Sequence, residues 1–136
     1  MIVVAAVDES ESASSIVAEA NYLATELGME LHVLHVKQYK DIKSNPDEIG
    51  DEQSVKEQTR SIAKRIGSKH ADEFTAVGLI GTPKEEIVSY AEEHDVKYIV
   101  TSGRKRSPTG KAMFGSTSQY VILHAGCSVV NVSRNR

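Results

Sequence analysis

The chain has 136 residues, of which 40% are hydrophobic and 26% charged, and its net charge of −3 excludes a global pull toward nucleic acid or an anionic membrane. Its length suits a single domain over residues 1–136. A lone cysteine, Cys127, excludes an intramolecular disulfide or a zinc cage of cysteines and fits a reducing compartment.

Met1 to Val7 is a nearly continuous apolar run followed at once by Asp8 and Glu9. It has no basic n-region and is too short to span a membrane, so neither a signal peptide nor an anchor is expected there. The expectation is a soluble, cytoplasmic protein with no membrane partner. Apolar residues on both faces predict a buried central strand of a parallel sheet. Ser10 and Ser12 are the candidate N-caps of the helix that follows. Ala13, Ile16, Val17, Ala20, Leu23, Ala24 and Leu27 recur at helical spacing, and Gly28 stops them.

Leu31 to Val36 predicts the second strand. Its two histidines, His32 and His35, are three apart and face opposite sides, so they cannot share one metal ion; a strand-end histidine near solvent or satisfied by backbone is expected. The polar stretch from Lys37 to Glu52 reads as a connection or a short lid. Val55, Thr59, Ile62, Ala63 and Ile66 trace the thin stripe of a second helix. Phe74 to Ile80 predicts a third strand, weakened by Gly78. Thr82 then reads as an N-cap, Pro83 as the first helical residue, and Glu85 as the partner in a capping box. Ile87, Val88 and Ala91 form that helix's inward stripe.

Tyr98 to Ser102 predicts the fourth strand. A loop containing Gly103, Pro108 and Gly110 follows, with four basic residues (Arg104, Lys105, Arg106, Lys111) and no acidic one between Arg104 and Lys111. Gly115 opens a fourth helix that runs to His124, with Ser116 or Thr117 able to cap it. A strand passing through a loop into a helix start offers free amides and the positive end of a helix dipole to an anion. Cys127 to Val132 predicts a fifth strand, which Asn131 marks as an edge.

This alternation predicts an α/β fold, a doubly wound five-stranded parallel sheet flanked by four helices. Ligands in such sheets sit outside the strands' carboxyl ends where the strand order reverses. That rule gathers Ala6, Val7, Asp8, Val36, Gly81, Thr82 and the stretch from Ser102 to Thr117 around one cleft. The loop is not a Walker A motif, because no Ser or Thr follows the lysine of Gly110-Lys111. No nucleophile-elbow pattern accompanies its serines. Cys127 reads as a small hydrophobe, and the basic loop lacks the interleaved aromatics of a nucleic-acid binder.

The sequence resembles the universal stress protein family over essentially the whole chain. The carriers are Ala5-Ala6-Val7-Asp8-Glu9-Ser10, Leu34-His35-Val36, Gly81-Thr82-Pro83 and the loop ending in Gly115-Ser116-Thr117. The resemblance implies a doubly wound sheet, a homodimer, and a role in stress response or ligand sensing. It also implies ATP, with Mg, or AMP as ligand, held by a loop of pattern G-x2-G-x9-G-[ST]. Counted back from Gly115, the first two glycines of that pattern fall on Ser102 and Lys105. The implied ligand-binding set is then Ala6, Val7, Asp8, Val36, Ser102, Gly103, Arg104, Lys105, Gly115, Ser116 and Thr117. Asp8 takes the ribose or adenine contact and Val36 lies beside the adenine.

The expected function is a non-catalytic domain in which ligand shifts the populations of a dimer. The alternative is a dimeric interaction module without nucleotide, its basic loop docking an acidic partner. A hydrolytic enzyme would need a general base or metal pair beyond Asp8, which the sequence does not offer. Because an apolar edge has to be covered, self-pairing of Cys127 to Val132 about a two-fold axis is the expected dimer contact.

Overall fold

The computed structural model of the chain describes residues 1–43, 52–103 and 115–133. Within them the runs rich in Val, Ile and Leu pair as one parallel sheet. Its strands are β1 (Ile2–Val7), β2 (Glu30–Lys37), β3 (Thr75–Ile80), β4 (Val96–Ser102) and β5 (Ser128–Val132), in the order β3-β2-β1-β4-β5. β1 is therefore central, paired in parallel with β2 on one side and β4 on the other. After β3 the chain crosses back to the far side of β1, so the order reverses between β1 and β4. β5 lies at an edge, where Asn131 had pointed.

Alternation along the strands feeds two cores. Val3, Ala5, Val33 and Val100 pack on one face against α1 (Ser12–Leu27) and α3 (Glu52–Ser68). Ile2, Val4, Leu34 and Ile99 pack on the other against α4 (Pro83–Glu93) and α5 (Ser116–His124). Helices on both faces explain why the central strands read as continuous apolar runs. Gly28 ends α1 at φ 66°, a left-handed turn that costs glycine little, and the Met29 amide returns to the Ala24 carbonyl at 2.9 Å.

The doubly wound parallel sheet agrees with the sequence reading, and strand ends shift by one or two residues. The helix count differs. A fifth helix, α2 (Tyr39–Lys43), occupies the start of the stretch read as a connection or lid. One turn is too short to show a period. Helix starts also differ in detail. Glu11, not Ser10 or Ser12, is the N-cap of α1, and Gly115, not Ser116 or Thr117, is the N-cap of α5. Thr82 does cap α4 with Pro83 behind it, but its side chain bonds no helix amide, so the box with Glu85 does not form.

Candidate functional site

The site begins where β1 ends. Asp8 follows Val7, and its Oδ1 accepts the Ser10 amide at 2.8 Å together with the Ser10 hydroxyl. The Ser10 and Ser12 hydroxyls lie 2.8 Å apart. The two serines expected as helix caps instead form a hydroxyl cluster that orients Asp8, as Asx turns do. Beside it, His35 Nδ1 donates to the Val7 carbonyl at 3.0 Å, tying the end of β2 to the end of β1. The carbonyl can only accept, so this nitrogen carries the hydrogen.

Across the reversal in strand order, β4 ends at Ser102. Its carbonyl accepts the Ser118 hydroxyl at 2.7 Å, which fastens the first turn of α5 to the sheet. Thr101 donates to Asn131 Oδ1 at 3.3 Å, so the residue that breaks the apolar run of β5 links the edge strand to β4. Gly103 sits against the same amide: a Cβ there would stand 2.9 Å from Asn131 Nδ2.

Between these ends lies a cavity of about 360 Å³. Ala6, Leu34, Val36 and Ile87 give it apolar walls, and Asp8, Ser102 and Thr117 stand among its polar lining. Of the residues singled out from sequence, Ala6, Val7, Asp8, Val36, Ser102 and Thr117 line this cavity together. Gly115 and Ser116 immediately precede Thr117 at the start of α5, with no side-chain cap on that helix. Gly103 faces Asn131 rather than the cavity. Arg104 and Lys105 lie outside the described residues, as do Arg106 and Lys111. Gly81 and Thr82 do not line the cavity either; the next residue, Pro83, does.

Sequence reasoning missed His35, Lys37, Thr101 and Ser118 as lining residues. His35 had a legible signal, its place beside Val36 at a strand's carboxyl end. Ser118 had none, because it belongs to the cleft only through its bond to Ser102. Among the described residues no three His, Cys, Asp or Glu side chains gather as a metal site. Burial, opposed by Lys97, raises the Cys127 thiol above its ordinary pKa, which suits packing rather than nucleophilic attack. No helix of the described residues is long and apolar enough to cross a membrane.

A larger concavity, about 690 Å³, opens at the other end of the sheet, beside Gly28 and the start of β2. Glu30, Asp72 and Glu73 line it, so its charge opposes a phosphorylated ligand.

A model of the universal stress protein family matches residues 1–133. A universal stress protein of Methanothermobacter thermautotrophicus is 43% identical over 56 residues, a match spanning 41% of this chain and 38% of that protein's length. The solved structure of a universal stress protein from Archaeoglobus fulgidus is 33% identical, with a TM-score of 0.71 and 96% of each chain covered. A second Archaeoglobus fulgidus structure, a universal stress protein in complex with dAMP, is 28% identical, with a TM-score of 0.65 and coverage of 96% of this chain and 94% of that one.

Proposed function

Because the chain belongs to the universal stress protein family, we propose that it is a non-catalytic, ligand-sensing domain that binds an adenine nucleotide, ATP or AMP, at the carboxyl ends of its strands. The observation that carries this reading is the cavity of about 360 Å³ at the reversal between β1 and β4. Its volume is within the range of small-molecule sites, and it joins apolar walls to a helix start. Ala6 and Val36 offer surface to a base. Asp8, oriented by Ser10, offers its second carboxylate oxygen to a ribose hydroxyl. The first amides of α5, from Ser116 onward, and the Thr117 hydroxyl face a phosphate with the positive end of the helix dipole. Arg104 and Lys105, taken from sequence alone, add charge where the family pattern has backbone amides. With ATP, Mg would arrive on the phosphate oxygens. The dAMP complex of a 28% identical relative supports a nucleotide as the class of ligand.

A homodimer through β5 completes the proposal. β5 is the edge strand beyond β4, and Val129, Val130 and Val132 are partly exposed on it. Pairing with a second copy would satisfy that edge and cover those side chains.

Titration calorimetry with ATP and AMP tests the ligand. Asp8→Ala should bind about tenfold more weakly than the wild type, the worth of about 1.4 kcal/mol. Absence of heat from the wild type at millimolar nucleotide would overturn the nucleotide reading.

A further inference from the structure

Away from the cleft, at the amino end of β2, two buried polar side chains meet. His32 Nδ1 lies 2.6 Å from the Tyr90 hydroxyl, and each residue is 8% exposed. Tyr90 belongs to α4, and its ring stacks on His94 with centroids 3.9 Å apart. His94 Nδ1 in turn donates to the Tyr90 carbonyl at 2.9 Å. The same helix carries Pro83 and Ile87 into the wall of the cleft, about 10 Å and about 5 Å along the axis from Tyr90. The His32–Tyr90 hydrogen bond joins the sheet to the helix that walls the proposed ligand site, beside the core packing of Ile87 and Val88.

We propose that the His32–Tyr90 hydrogen bond is an acid-sensitive latch that holds α4 on the sheet and opens when His32 takes up a proton. The phenol stays protonated, because burial and then Glu30 raise its pKa. A protonated phenol can donate to Nδ1 or accept from it, so the pair is satisfied with either tautomer of neutral His32. Protonation fixes Nδ1 as a donor, so a phenol that donates to it has to turn its own hydrogen away and accept instead, inside a buried site. It also places a charge in a site that resists it. Burial lowers the His32 pKa from 6.5, His94 on α4 lowers it further, and Glu30 on β2 opposes them. The strands on either side set uncharged residues level with His32, Val4 on β1 and Thr75 on β3.

The sign follows from linkage. With its folded pKa lowered, His32 binds more protons when α4 is open than when it is closed. The closed form is then favoured above pH 6.5 and loses that advantage as the pH falls through 6.5 toward the folded value. A consequence for ligand affinity rests on the nucleotide reading of the cleft; the latch itself does not.

Hydrogen exchange on the ligand-free protein tests it. Protection of the α4 amides, corrected for the intrinsic dependence of exchange on pH, should fall several-fold between about pH 7.5 and 5.5. The limit is about tenfold for one proton taken up over a pH unit. His32→Gln, which cannot charge, should abolish the fall. Should that variant not fold, the wild-type NMR titration decides: the His32 ring and the α4 amides should share one midpoint below 6.5. Equal protection at both pH values, an undiminished fall in His32→Gln, or α4 amides following a different midpoint would each overturn the latch.

Discussion

Gly78 shows how much can rest on a missing side chain. A Cβ at this β3 position would stand 2.3 Å from the Arg60 backbone nitrogen and 2.7 Å from the Lys56 carbonyl. α3 lies directly on the strand there, and backbone cannot step aside as a flexible side chain can. Gly78→Ala should therefore lower stability by about 1–3 kcal/mol, the usual cost of overpacking, read as a lower urea midpoint at unchanged slope. In the sequence this glycine signals a weak strand. That it is an approach point for a helix is not legible, because its partners come from a different element. The histidines divide in the same way. Their opposite facings follow from the strand's period of two, and backbone satisfaction describes His35 and the Val7 carbonyl. Both, however, are buried rather than near solvent, and the Tyr90 partner of His32 could not be read from local spacing.

At the scale of elements, periodicity revealed the long helices and the five strands, because each must bury one stripe or one face. α2 escaped because it has a single turn. The caps expected at α1 escaped because their hydroxyls had other partners: Ser10 serves Asp8 and meets Ser12. Ser118, inside the first turn of α5, reaches the Ser102 carbonyl. That last bond has a measurable weight. Ser118 is 5% exposed, so Ser118→Ala should cost about 1 kcal/mol for a hydrogen bond lost at a buried site. It should also speed exchange of the first α5 amides more than those of α4. An equal loss of protection across both helices would mean that Ser118 supports the general packing rather than the join between β4 and α5.

For the whole molecule, the parallel sheet and its point of reversal were legible because β-α-β crossovers have one hand and ligand sites follow from strand order. The cleft gathers six of the predicted residues from four elements and their edges: Ala6, Val7, Asp8, Val36, Ser102 and Thr117. Gly103, singled out with them, packs on Asn131 of the neighbouring strand. Assembly can be tested at the same scale. Val130→Lys should shift the protein toward monomer in sedimentation equilibrium at micromolar concentration, with its circular dichroism unchanged. A wild type that is already monomeric would contradict the β5 dimer. The central claim is where ligand sits. The most direct measurement is an NMR titration with AMP that follows every assigned amide. The account predicts saturable shifts at Asp8, Val36, Ser102 and Thr117, and none at the acidic concavity beside Gly28 and Asp72. Shifts confined to that concavity, or no saturable shift at millimolar AMP, would contradict it.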